Sequence, residues 1–206
     1  MINGSQNSID SLILKNIKDG GFFIEAGGSD PRDQNNTELL EINGWRGLII
    51  EPKKDFNNLY QILRPNSIVE NLVLVSSDYN KDTILGDFSH YMTGGVENIH
   101  SLDWNPIEYN CSALYKILNN HNINEVHFFS LDVEGYEINV LNGINFNEVF
   151  FHIIVIENHG KWDNDGLLKY DNFDFLNDFG FYRKYKINQH EFYINSKSKY
   201  YETFEV

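Results

Sequence analysis

GFFIEAGGSD (residues 21–30) and RGLIIEP (residues 46–52) decide the fold. Each is a short apolar run with no helical period that enters small or turn-forming residues, the pattern of a buried strand. Between them, Asn36 to Ile42 reads as a helix that stops at Asn43-Gly44. VHFFSLDV (residues 126–133) and FHIIVIE (residues 151–157) repeat the strand pattern, with a helix expected from Tyr136 to Asn142 between them. Upstream, Ile9, Leu12, Ile13 and Ile17 recur at helical spacing. Phe56, Leu59, Tyr60 and Leu63 form a second amphipathic set, ended by Pro65 ahead of a third strand around SIVENLVLV (residues 67–75).

Strands alternating with helices make this an α/β chain with a mostly parallel, doubly wound sheet. FYRKYKI (residues 181–187) and HEFYI (residues 190–194) add an antiparallel hairpin at the end. A helix is expected near Cys111 to Asn119 and a last one from Leu167 to Phe179. Ser76 to Asn110 shows no sustained period and reads as a loop or small hairpin excursion from a single domain spanning residues 1–206.

The 206 residues are 41% hydrophobic, with 15 Phe, 12 Tyr and 3 Trp, ample for one core. Against 16 Lys+Arg stand 30 Asp+Glu, a net charge of -14 that repels a phosphate backbone, so nucleic acid is not an expected partner. No apolar run approaches the ~20 residues of a membrane span and no signal peptide is visible, so a soluble, cytoplasmic protein is expected. Cys111 is the only cysteine and reads as a buried, inert thiol. Oligomeric state is not legible.

Ligands of an open parallel sheet sit beyond the carboxyl ends of its strands, near the point where strand order reverses. There the first strand offers Glu25 followed by Gly27-Gly28, whose small size allows close backbone approach. The second ends in Glu51, a carboxylate placed to accept hydrogen bonds from both hydroxyls of a ribose. A glycine turn paired with such an acid suits a nucleoside, while GxGxxG and GK[ST] phosphate loops are both missing from the sequence.

GFFIEAGGSD, NNTELLEINGWRGLIIEP, FFSLDVEGYEINVLNG and IVIENHG, in that order and led by SQNSID, resemble the FkbM-type family of S-adenosylmethionine-dependent methyltransferases over roughly residues 5 to 160. The resemblance implies a Rossmann-like methyltransferase fold that transfers methyl to oxygen on small molecules or sugars, such as a nucleotide sugar or glycan. It also implies that Glu25, Gly27, Gly28 and Asp30 form the first cofactor loop, that Glu51 holds the ribose, and that Ser76, Ser77 and Asp78 line the adenine. The chain departs from the family pattern at Pro31, where a flexible glycine is usual.

Asp132 and Glu134 end one strand while Glu157, Asn158 and His159 end the next, so the fold brings all five to one rim. Two readings stand. Asp132, Glu157 and Asn158 offer hard oxygen ligands to a divalent metal such as magnesium; alternatively Glu134 caps the following helix, Asp132 binds the cofactor's amino group and Glu157 orients its neighbours. His159 is the best-placed general base, since histidine titrates near pH 6.5. Glu134, Asn158, His90 and Tyr91 are candidates for touching the acceptor, the last two from an excursion suited to be a lid, as are His100, Trp104 and Tyr109. His121, His127, His152 and His190 read as structural or exposed. A methyltransferase is the leading expectation, with a catalytically silent cofactor-binding module of the same fold as the alternative; a nicotinamide oxidoreductase lacks its three-glycine fingerprint.

Overall fold

The computed structural model describes residues 5–89, 94–96, 104–162 and 168–206. Helix α1 (Ile9–Asn16) buries Ile9 and Ile13 one turn apart, with Ile17 just beyond. Strand β1 (Phe22–Ala26), helix α2 (Glu38–Ile42), strand β2 (Arg46–Ile50), helix α3 (Lys54–Leu63) and strand β3 (Ser67–Glu70) follow. Gly44, at φ +86°, takes the left-handed turn that lets the chain leave α2 and enter β2. Next come β4 (Val73–Val75), β5 (Thr83–Asp87), β6 (Gly95–Val96), β7 (Ile107–Ala113), α4 (Leu114–Asn120) and β8 (Glu125–Leu131). The chain finishes with α5 (Glu137–Leu141), β9 (Phe150–Glu157), the short pair β10 (Lys161–Trp162) and β11 (Leu168–Lys169), a 3-10 turn (Asp174–Phe179), β12 (Phe181–Ile187) and β13 (His190–Asn195).

Seven strands form the main sheet in the order β3-β2-β1-β8-β9-β13-β12. The first five are mutually parallel, and β13 joins β9 antiparallel, as does β12 to β13. Strand order therefore reverses between β1 and β8, which places the switch point at Ala26 and Leu131. Successive side chains alternate between two cores. Ile24, Leu48, Phe129 and Ile154 meet α4, α5 and β4 on one face, whereas Phe23, Ile49, Phe128 and Ile153 meet α1, α2 and α3 on the other. With helices on both faces, the doubly wound α/β architecture and its antiparallel terminal hairpin match the expectation.

Three segments differ. SIVENLVLV is two strands in two sheets: Asn71 donates to the Glu51 and Pro52 carbonyls, both at 2.8 Å, and the chain leaves the main sheet there. Its second half, β4, pairs with β7, so the excursion expected as a loop or small hairpin is antiparallel β5, β6 and β7 joined to β4 in a four-stranded sheet, β4-β7-β5-β6. Cys111 accordingly lies on β7, half-buried, and α4 begins three residues later; burial raises its thiol pKa, which keeps it a poor nucleophile. Where a last helix was expected, from Leu167 to Phe179, the described residues hold strand β11 and the 3-10 turn. Asn172 bonds the Asp174 amide at 2.7 Å and Asp171 bonds the Asn158 side chain at 3.2 Å, so local side chains capture amides a helix would need.

Candidate functional site

A cavity of about 560 Å³ opens at the carboxyl ends of β1, β2, β8 and β9, and Phe88 and Gly94–Val96, in and beside the small sheet, also line it. Glu25, Gly27, Gly28, Glu51, Asp132, Glu134, Glu157, Asn158 and His159 all line it, so one space collects most of the residues singled out from sequence.

The turn after β1 is set by packing. Gly27 has φ +80°, and a Cβ there would lie 1.6 Å from the Asp132 carbonyl oxygen, so only glycine lets the ends of β1 and β8 cross this closely. A Cβ on Gly28 would strike the Tyr60 hydroxyl, which donates to the Gly28 carbonyl at 2.8 Å. Glu25 is buried and accepts from the Asn36 amide at 3.0 Å and the Thr37 hydroxyl at 2.6 Å. Burial raises its pKa, opposed by the Arg64 charge and these hydrogen bonds. Glu25 thus ties the far end of the loop to the strand. Buried Arg64 completes the tie: it bonds Glu41 at 2.8 Å, Asn35 at 2.9 Å and Thr37 at 2.9 Å. Asp30 accepts from the Arg32 and Asp33 amides at 2.9 and 3.0 Å, shaping the turn around Pro31, and is not part of the cavity wall.

Asn36, 4% exposed, lines the cavity and donates from Nδ2 to Ser130 Oγ at 3.1 Å, while its Oδ1 has no hydrogen-bond partner among the described residues. Glu51 is 5% exposed; its carboxylate oxygens accept from the Ser29 and Lys53 amides at 3.0 and 2.7 Å. Burial pushes its pKa up to about 7 against those two bonds. Each oxygen keeps a second lone pair for a ligand hydroxyl. Ser76, Ser77 and Asp78 are not brought to the cavity: they form the turn after β4, with the Ser76 hydroxyl on Asp78 and the Ser77 amide on Asn142. Because β3 ends at Glu70, the wall on that side is Leu72, Val73 and Leu74 instead.

At the other end, Asp132 and Glu157 are hydrogen-bonded carboxyl to carboxyl. Burial and the bond to Glu157 hold the Asp132 pKa well above the usual range. Burial acts the same way on Glu157, but the bond from Asp132 together with His159, His190 and Gln189 outweighs it and keeps Glu157 ionised. The two directions favour a proton on Asp132 over one on Glu157. His159 Nε2 lies 2.9 Å from Glu157 Oε2, its ring 56% exposed to the cavity mouth. Gln189 donates to Glu157 Oε1 at 3.2 Å.

Sequence reasoning missed Gln6, while His190, read as structural or exposed, is structural. His190 is buried and donates from Nε2 to Gln6 Oε1 at 2.8 Å, and Gln6 Nε2 reaches Asp132 at 3.4 Å. The spacing of 184 residues hides this bridge from any local pattern. Glu134, at φ +55°, takes the left-handed turn into α5, but the group that ties this turn is Glu137, which accepts from the Val133 and Gly135 amides at 3.1 and 3.0 Å.

The metal reading loses its third ligand. Asn158 spends its side-chain amide on the Asp171 backbone, donating at 2.9 Å and accepting at 3.2 Å, so it anchors the following loop instead of joining Asp132 and Glu157. Among the described residues, Glu125, His127 and His152 do cluster, at the opposite end of β8 and β9. His127 Nδ1 accepts the Phe22 amide at 3.2 Å, which leaves its proton on Nε2, and His152 bonds Glu125 at 3.0 Å and Ser198 at 2.8 Å. Those bonds make the group a hydrogen-bonded seam. His121 pairs with Glu70 at 2.7 Å, and Tyr109 packs edge-on against Phe88 at 4.9 Å, anchoring that part of the cavity wall. His90, Tyr91 and His100 lie outside the described residues.

A parallel sheet reversing at β1 and β8, with a glycine turn and a buried acid at successive strand ends and an antiparallel terminal hairpin, defines a Rossmann-like protein of the methyltransferase type. The family model of the FkbM methyltransferase domain matches residues 25–192, and the chain belongs to that family. Neither the curated proteins nor the solved structures yield a match. No described helix is long and apolar enough to cross a membrane.

Proposed function

We propose that the protein transfers a methyl group from S-adenosylmethionine to a hydroxyl of an uncharged small molecule or sugar. The observation that carries this reading is that one cavity holds Glu51 at one end and the hydrogen-bonded His159–Glu157–Asp132 series at the other. The residues present fit the cofactor: Glu51 keeps lone pairs for two ribose hydroxyls, Leu72 to Leu74 offer an apolar wall for a base, and Asn36 Oδ1 is a buried acceptor awaiting a donor.

When bound, S-adenosylmethionine supplies an electrophilic methyl on a sulfonium. The protein's own contribution is alignment and proton removal. Ionised Glu157 accepts the His159 Nε2 proton and fixes the ring, which leaves Nδ1 as the base. Nδ1 would take the acceptor hydroxyl's proton, while S-adenosylmethionine would supply the methyl to that oxygen, its S–CH3 bond breaking and the electron pair remaining on the sulfur of the departing S-adenosylhomocysteine. Glu134, Glu157 and Asp171 on the wall favour a neutral acceptor over a phosphorylated one, because anionic groups would face carboxylates.

The test is transfer from methyl-labelled S-adenosylmethionine to a panel of neutral and phosphorylated sugars, with and without chelator. His159→Ala should lose on the order of 10²–10⁴ in turnover with cofactor affinity unchanged. Full activity of that variant removes His159 as the base, and loss of wild-type activity in chelator restores the metal reading.

A further inference from the structure

We infer that Asn36 recognises the ammonium of the cofactor's amino-acid arm, an assignment that rests on the function proposed above. Three features lead to it. Asn36 is nine-tenths buried or more, it lines the cavity, and its Oδ1 is unpartnered among the described residues, although buried amide oxygens are nearly always bonded. Burying such an acceptor without a partner destabilises the fold, so a ligand that completes it binds with that much advantage.

Chemistry selects the donor. The groups immediately around Asn36 are acceptors: the Glu25 carboxylate on its backbone amide and the Ser130 hydroxyl oxygen under its Nδ2. An unpartnered amide oxygen beside a carboxylate calls for an N–H donor that carries positive charge, and an ammonium is such a group. The Glu25 carboxylate beside Asn36 disfavours a ligand carboxylate or phosphate at the free Oδ1 lone pair.

Sheet order selects the end of the ligand. Across the cavity the strands run β3, β2, β1, β8, β9. The apolar wall at Leu72 to Leu74 lies toward β3, Glu51 ends β2, and Asn36 bridges Glu25 on β1 to Ser130 on β8. A nucleoside with its base toward β3 and its ribose on Glu51 extends its remaining arm toward β1 and β8, between Glu51 and the His159 rim. The amino-acid arm of S-adenosylmethionine occupies that place. The loop tie by Arg64 then gains a purpose, since it holds Asn35 and Thr37 on either side of Asn36 and so fixes where the acceptor points.

The experiment is a calorimetric cycle with wild type and Asn36→Ala against S-adenosylhomocysteine, its deaminated analogue and 5′-methylthioadenosine. Wild type should bind S-adenosylhomocysteine tenfold or more tighter than the deaminated analogue, and Asn36→Ala should erase most of that difference while leaving 5′-methylthioadenosine affinity within about threefold. The wild-type comparison stands even if the variant misfolds. If wild type binds S-adenosylhomocysteine but does not discriminate against the deaminated analogue, or if Asn36→Ala weakens 5′-methylthioadenosine as much as S-adenosylhomocysteine, the assignment is overturned while the function stands. If wild type binds none of the three, the function falls and the assignment with it.

Discussion

Asp132 and Glu157, at the ends of neighbouring parallel strands, are hydrogen-bonded carboxyl to carboxyl, and their surroundings push the two pKa values apart, Asp132 upward and Glu157 downward. The asymmetry comes from their surroundings: His159, His190 and Gln189 all face Glu157, whereas Asp132 meets further acids at Glu134 and Glu137. Two carboxyls side by side in one cleft thus acquire separate tasks.

The asymmetry has a direct consequence for substitution. Asp132→Asn replaces one neutral donor by another and should cost about tenfold or less in turnover. Glu157→Gln removes the ionised acceptor of His159 and should cost on the order of 10²–10³, within the usual worth of positioned proton transfer. Steady-state kinetics on the two variants decides it, and equal losses would contradict the proton assignment.

Glu51 should trade stability for binding. Its folded pKa is about 7 against an ordinary 4.5, so the stability it contributes is full below pH 4.5 and is lost as pH rises through 7. The shift corresponds to about 3 kcal/mol. Glu51→Gln should therefore raise the melting temperature more at pH 8 than at pH 5. Cofactor affinity of the wild type should increase from pH 6 to pH 8 as the carboxylate ionises, and the glutamine variant should lose that pH dependence.

Arg64 is the buried cation that closes the first loop on Glu41, Asn35 and Thr37. Arg64→Ala leaves a buried carboxylate and two polar side chains without their partner and should cost about 3–5 kcal/mol in chemical denaturation. S-adenosylhomocysteine affinity should fall with it, because the loop carrying Asn36 is no longer held.

Gly27→Ala should be at least as damaging, for a different reason. Its Cβ would meet backbone at Asp132, which no rotamer change relieves, and its φ is in the left-handed region. Loss of cooperative thermal unfolding is the expected readout.

The four central strands of the main sheet were legible because each is a buried apolar run that ends in chemistry: Ala26-Gly27, Ile50-Glu51, Leu131-Asp132 and Ile156-Glu157. Sequence order at those ends gave the rim and the glycine turn directly. The excursion was not legible, since β5 and β7 pair across Thr83 and Asn110 and such pairings leave no local period. SIVENLVLV misled because a continuous apolar run says nothing of which sheet each half enters; Asn71 decides that through bonds to carbonyls twenty residues earlier. Arg64, Gln6 and the partner of His190 were missed for the same reason. Their partners are remote in sequence, and a buried Arg or His looks the same in a string as an exposed one.

The most direct test of the whole account is a calorimetric titration of wild type and Glu51→Ala with S-adenosylhomocysteine and with NAD. We expect wild type to bind S-adenosylhomocysteine and not NAD, and Glu51→Ala to bind it at least tenfold more weakly, as the loss of charged hydrogen bonds worth about 1.5–3 kcal/mol requires. No heat with S-adenosylhomocysteine, together with binding of NAD, would contradict it.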